Sequence, residues 1–109
     1  MKILITGGTG FVGRNLVKLL LKESDCELLV LSRQKLTSDN PQLVYLSADI
    51  RDYDSVQKAV SNCDVIVHLA AQLGEWGDSK DFYSINIEGT KNIAKASKKH
   101  GIKKVIHIS

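Results

Sequence analysis

A chain of 109 residues is long enough for one domain around one core, burying roughly 60–70% of the surface it would expose when unfolded. With 43% hydrophobic and 25% charged residues, 8 glycines and one proline, the composition excludes fibrous, collagen-like and disordered chains. The net charge of +3 comes from 15 Lys and Arg against 12 Asp and Glu. Its excess sits in Lys95, Lys98, Lys99, Lys103 and Lys104, whose helical spacing reads as a solvated face rather than a nucleic-acid patch.

Short apolar runs alternate with longer segments of helical period, the pattern of a parallel sheet covered by crossover helices. Strands are expected at residues 3–6, 27–31, 43–46, 65–69 and 105–108. Met1 to Ile5 is too short an apolar run for a signal peptide. Between the first two strands, Val12, Leu16, Val17, Leu19, Leu20 and Leu21 form the apolar side of a helix, leaving Arg14, Asn15, Lys18 and Lys22 to solvent. Polar residues from Ser32 to Pro41 read as a surface loop. After the third strand, Asp52 or Asp54 caps a short helix with Val56, Ala59 and Val60 inside. One long helix from about residue 80 to 100, interrupted by Gly89, precedes the last strand.

Strands made almost wholly of Val, Ile and Leu require cover on both faces, so the sheet is expected to be parallel and central. The expected fold is α/β, a Rossmann-type doubly wound parallel sheet of order 3-2-1-4-5. Ligands bind such a sheet at the carboxyl ends of its strands. No segment approaches the ~18–20 apolar residues of a membrane span. Cys26 and Cys63 have no further Cys or His at metal-ligand spacing, so they read as reduced, largely buried thiols, and no metal is expected. A cytoplasmic location follows.

The residues Gly7 to Gly13 follow a strand and open a helix, the context that gives a glycine-rich loop its meaning. There a first glycine permits a tight turn, a middle one lets main-chain amides approach a pyrophosphate, and a third lets the helix pack against the strand. The helix start presents unsatisfied N–H donors and its positive dipole end to the phosphates. Gly8, Gly10 and Gly13 fit G-x-G-x-x-G, while Gly7, Gly10 and Gly13 fit G-x-x-G-x-x-G.

In the second register, Thr6-Gly7-Gly8-Thr9-Gly10-Phe11-Val12-Gly13 closely resembles the extended short-chain dehydrogenase/reductase family, the group of NAD-dependent nucleotide-sugar epimerases and dehydratases. Ala48-Asp49-Ile50-Arg51-Asp52 resembles its adenine-contacting segment, which implies that Asp49 accepts from the adenine amino group and Ile50 lies against the ring. Val67-His68-Leu69-Ala70-Ala71 is similar to the end of its fourth strand, where small residues pass beside the cofactor. Residues 83–90, Tyr-Ser-Ile-Asn-Ile-Glu-Gly-Thr, resemble its fourth-helix motif. The resemblance covers the whole chain, and the cofactor-binding residues it implies are Gly7, Thr9, Gly10, Phe11, Val12, Gly13, Ser32, Arg33, Asp49, Ile50, Leu69, Ala70 and Ala71.

An NAD-selective site places Asp or Glu at the end of the second strand, about 20 residues past the glycines. Here Ser32-Arg33 stands instead. Arg33 suits a 2′-phosphate, which favours NADP over NAD; the alternative is that Arg33 stacks on adenine or points to water. His68, inside an apolar strand, reads as a satisfied core histidine. Asn86 either organises a water and proton path beneath the cofactor, as the resemblance implies, or bonds to neighbouring backbone. Trp76, in the loop 72–78, either packs on the nicotinamide side or pins the loop, the second being preferred.

Catalysis in the family resembles general acid-base chemistry by a Tyr-x-x-x-Lys pair with a Ser or Thr. Tyr45, Tyr53 and Tyr83 are instead followed four residues later by Asp49, Gln57 and Ile87, so no catalytic residue is assigned. The resemblance therefore implies a sheet truncated after the fifth strand, with residues 1–109 one partial domain, the NAD(P)-binding portion of a longer epimerase/dehydratase-like or hydroxysteroid-dehydrogenase-like oxidoreductase, which meets its small-molecule substrate only in the full-length protein. Residues 75–90 and 104–109 lean towards the hydroxysteroid dehydrogenase and dihydroflavonol reductase branch. The alternative is a stand-alone, non-catalytic dinucleotide-binding module or sensor. Neither nucleic acid nor membrane is an expected partner, and an open sheet edge invites self-association.

Overall fold

A computed structural model describes residues 1–69 and 79–108, and for residues 79–83 the helical backbone alone. The elements are β1 (Lys2–Thr6), α1 (Phe11–Glu23), β2 (Glu27–Ser32), β3 (Leu43–Ser47), α2 (Tyr53–Val60), β4 (Val65–Leu69), α3 (Ser79–Lys99) and β5 (Lys104–Ile108). The five strands form one parallel sheet in the order β3-β2-β1-β4-β5, the order expected of a doubly wound fold. Strand order reverses between β1 and β4, so the crevice of a doubly wound sheet opens at the carboxyl ends of these two neighbours. Thr6 is in register with both Leu31 and His68 there.

Alternation along the strands divides the core in two. Leu4, Leu29, Leu31 and Ile66 pack with Val56, Ala59, Val60, Ile93 and Ala96 on the side of α2 and α3. Ile3, Ile5, Leu28, Val30, Val67 and Leu69 pack with Val17 on the side of α1. Central strands are thus buried on both faces, but the outer two are not. Val44 and Leu46 of β3 and all of β5 are exposed, which limits the expectation of two-sided cover to β1, β2 and β4. Each strand other than β4 also gains one polar terminal residue over its apolar run, at Lys2, Ser32, Ser47 or Lys104.

In α1 the inward side is narrower than the apolar pattern predicts. Gly13 and Val17 are buried, with Leu16, Leu20 and Leu21 packed beside them, whereas Val12 and Leu19 are exposed. At 100° per residue these two fall about a quarter-turn or more from the centre of the stripe. Asp52, rather than Asp54, caps α2: its carboxylate accepts from the Asp54 amide at 3.2 Å and from the Ser55 hydroxyl at 2.9 Å. The five late lysines are exposed, Lys95 lying over the Tyr53 ring and Lys99 donating to Gln57. Cys63 is a buried free thiol, pushed up in pKa by that burial, while Cys26 is only half-buried. Among the described residues no helix is long and apolar enough to cross a membrane.

Candidate functional site

The carboxyl edge of the sheet begins with the turn between β1 and α1. Gly7 adopts φ +73, a left-handed conformation that a side chain disfavours. A Cβ on it would also stand 2.8 Å from the carbonyl oxygen of Leu69 at the end of β4. The Gly7 carbonyl accepts from the Gly10 amide at 3.3 Å, and Gly10 then serves as the N-cap of α1 with its own carbonyl accepting from Arg14 at 2.9 Å. Gly13 draws the helix down onto the turn: a Cβ there would lie 2.2 Å from the Gly7 carbonyl oxygen and 2.5 Å from the Gly8 Cα.

Backbone contact this close leaves the first turn of α1 with its amides at the sheet edge. Gly10 provides no side-chain cap and the turn holds no acidic residue, so the Phe11, Val12 and Gly13 amides carry the positive end of the helix without a carboxylate to neutralise it. Thr9, Phe11 and Val12 are exposed beside them. A concave run of donors of this kind suits linked phosphates.

The second part of the edge lies past β2 and β3. Ser32 is buried, its hydroxyl accepting from the Gln34 amide at 3.1 Å. Arg33 follows it, exposed, with its carbonyl accepting from the Ser47 hydroxyl. Asp49 is clasped by Arg51, whose Nε donates to both carboxylate oxygens at 3.1 Å and whose terminal nitrogen donates at 2.7 Å. That hydrogen bonding, with the Arg51 amide and the charges of Arg51 and Arg33, holds the Asp49 carboxyl below the usual carboxylate range against some opposing burial. An ionised carboxylate only accepts, which fits it to an N–H donor such as an exocyclic amine.

Ile50 is seated from below by α3. A Cβ on Gly89 would stand 2.2 Å from Ile50 Cδ1, so the missing side chain forms the hollow that Ile50 fills. Asn92, one turn along the same helix, donates its Nδ2 to the Ile50 carbonyl at 2.9 Å. Sequence reasoning took Gly89 for an interruption and passed over Asn92. A glycine inside a helix, with an amide three residues on, was the available sign that another segment approaches closely there.

Between the two parts, Leu69 is buried at the end of β4 and touches the Gly7 turn. Ala70 and Ala71 lie outside the described residues, as does the loop containing Trp76. Asn86 is half-buried on α3. His68 is 2% exposed and hydrogen-bonded at both ring nitrogens, Nδ1 to the Thr6 hydroxyl and Nε2 to the Thr90 hydroxyl at 2.9 Å. Burial, with the nearby charge of His107, pushes its pKa down to about 4. It is the satisfied core histidine that its apolar surroundings predict, a neutral link from β1 through β4 to α3.

The model of the NAD dependent epimerase/dehydratase family matches residues 3–109. The whole chain aligns at 35% identity with the low-salt glycan biosynthesis protein Agl12 of Haloferax volcanii, of which it covers 39%. Over 96% of its length it is 35% identical to the 3 beta-hydroxysteroid dehydrogenase/Delta 5-->4-isomerase of Monkeypox virus, covering 32% of that protein. A solved structure of DesIV, the dTDP-glucose 4,6-dehydratase of Streptomyces venezuelae, with NAD and DAU bound, superposes with a TM-score of 0.84 at 28% identity, over 100% of this chain and 39% of that one. The chain thus spans between about a third and two fifths of the length of these proteins.

Proposed function

The chain belongs to the NAD dependent epimerase/dehydratase family, and we propose that its sheet edge holds NAD(P) as the cofactor-binding portion of an oxidoreductase. The observation that carries this reading is the Gly7–Gly13 contact, where a left-handed glycine and an absent Cβ bring uncapped helix amides to the crevice. The residues fit the group, because the space a side chain would fill is what lets the main chain reach a pyrophosphate.

In this reading Gly7, Thr9, Gly10, Phe11, Val12 and Gly13 cradle the phosphates, Ser32 and Arg33 meet the adenosine ribose, and Asp49 and Ile50 take the adenine. Leu69, Ala70 and Ala71 pass beside the remainder of the dinucleotide. The bound group supplies a nicotinamide ring that accepts or returns a hydride. Asp49, held ionised by Arg51, orients the adenine amine by accepting from it, and Ile50 offers the ring an apolar face. The full-length protein would use the cofactor at a substrate hydroxyl or carbonyl. Relatives named as dehydrogenases and dehydratases, each much longer than this chain, support that role over a stand-alone sensor. Their names span glycan and steroid chemistry, so the proposal stops at the reaction class.

NADP is proposed as the preferred cofactor. Arg33 is the first residue past β2, and its charge helps to lower the Asp49 pKa, which supports a cation at the adenosine end of the site. A guanidinium–phosphate hydrogen bond contributes about 1.5–3 kcal/mol, on the order of 10–100-fold in affinity. Titration of NADPH and NADH followed by nicotinamide fluorescence is expected to give tighter binding of NADPH, and Arg33→Ala to lose that advantage while keeping NADH. Equal affinities in the parent would remove the NADP preference, and binding of neither would remove the site. We also propose that the 109-residue chain self-associates through its β5 edge, where Val105, Ile106 and Ile108 are exposed and open backbone groups suit a further strand. A concentration-independent monomer in sedimentation velocity would overturn this.

A further inference from the structure

Residues 49–51 connect β3 to the cap of α2 without belonging to any strand or helix. Local bonds shape them: the Ala48 amide donates to the Ser32 carbonyl at 2.8 Å before the segment, the Asp52 amide closes a turn onto the Asp49 carbonyl at 2.9 Å, and the Asp49 side chain accepts from the Arg51 amide. These bonds set the turn of the segment and tie its start to the end of β2.

Its middle is held from α3. The Ile50 side chain drops into the hollow at Gly89, where a Cβ would stand 2.2 Å from Cδ1, 2.6 Å from Cγ1 and 3.3 Å from Cβ. The Ile50 main chain is held by the Asn92 amide at 2.9 Å, from 42 residues further along the chain. Gly89 and Asn92 are three residues apart, so they present to the same side of the helix. Helix α3 is itself anchored in the core by Ile85, Ile93 and Ala96, all buried, and tied to β4 by the His68–Thr90 hydrogen bond. A rigid helix thereby grips one residue by both its side chain and its carbonyl, and the neighbouring carboxylate moves with it.

We propose that Asn92 is a positioning residue for nucleobase recognition: its hydrogen bond to Ile50 places the Asp49 carboxylate where it accepts from an adenine amine. This rests on the dinucleotide reading given above. Asn92 touches no ligand itself. If its amide is lost, Ile50 keeps its hollow but the main chain at 49–50 is free to tilt, and the amine–carboxylate bond lengthens. Phosphate binding, built on the separate Gly7–Gly13 turn, is retained.

The test compares ADP with IDP by calorimetry on the 109-residue chain, because hypoxanthine has a carbonyl in place of the amine. The parent is expected to bind ADP about tenfold more tightly, the size of one hydrogen bond to a charged group. Asn92→Ala is expected to narrow that ratio to about twofold, mainly by weakening ADP. In Asn92→Asp, which keeps the side-chain shape, the preference is also lost at pH 7.5 and returns in part on acidification, as the neutral carboxyl regains a proton to donate. Should Asn92→Ala fail to fold, Asn92→Asp reads the same ratio. A variant that keeps the parent ratio while both nucleotides weaken together would assign Asn92 a merely structural part and overturn the proposal. A parent that binds neither nucleotide would overturn the dinucleotide site, and the role of Asn92 with it.

Discussion

The Gly7–Gly13 turn and the Asp49–Arg51 segment share one edge of the sheet but are held in place by opposite means. The turn is made of absences: three glycines let main chain touch main chain, with Gly13 against Gly7 and Gly8, and Gly7 against Leu69. The segment is made of side chains, with Arg51 on Asp49, Ile50 in the Gly89 hollow and Asn92 on the Ile50 carbonyl. Backbone contact has no soft partner that can move aside, whereas side-chain contact does. Damage to the turn is therefore expected to reach the fold, and damage to the segment to stay with the nucleotide recognition proposed for it.

Gly13→Ala is the strongest attempt to break this contrast. Its Cβ would meet a carbonyl oxygen and a Cα, both main chain, so α1 must lift from β1 at a cost of about 3 kcal/mol or more. Thermal melting should show a drop of many degrees; a variant melting with the parent would contradict the account.

Acid tests the link between the two regions. His68 joins Thr6, just before the turn, to Thr90, beside Gly89. Its pKa falls from 6.5 to about 4 on folding, so the unfolded chain binds this proton first as pH drops. Stability from a neutral His68 is complete above about pH 6.5 and is lost as pH falls towards 4, by about 3 kcal/mol in all. Denaturant unfolding across that range should follow this slope in the parent and flatten in His68→Gln; parallel curves would refute it.

Gly89→Ala is the smallest change and sharpens the contrast. The helix gains up to about 1 kcal/mol from replacing glycine, while the new Cβ, which would stand 2.2 Å from Ile50 Cδ1, 2.6 Å from Cγ1 and 3.3 Å from Cβ, lifts the Ile50 side chain out of its hollow. Melting should move by a few degrees at most, yet ADP affinity should fall several-fold. A large loss of stability with unchanged affinity would reverse the assignment.

The same contrast explains what could be read from sequence. The glycine turn is legible because its sterics are confined to a few consecutive residues between an apolar run and an amphipathic one. The strands were legible for a similar reason, but Lys2, Ser32, Ser47 and Lys104 join them only through pairing with neighbouring strands, which no local pattern records. Val12 and Leu19 look like core, yet stand outside the stripe that α1 turns inward. In the segment after β3, the expectation for Asp49 and Ile50 came from resemblance alone, and the contacts that hold them were not legible. Gly89 reads as a helix interruption until Ile50 is seen to fill it, and an asparagine in a helix looks the same whether it bonds its own turn or a carbonyl 42 residues earlier.

The central claim is that main-chain amides at the first turn, aimed by glycine contacts, receive a pyrophosphate. Proton–nitrogen correlation spectra of the 109-residue chain, recorded during titration with ADP, report on those amides one by one. The account predicts the largest shifts at Gly10, Phe11, Val12 and Gly13, with a second, smaller group at Asp49 and Ile50. Shifts confined to other residues, with the four turn amides unmoved at saturation, would contradict it.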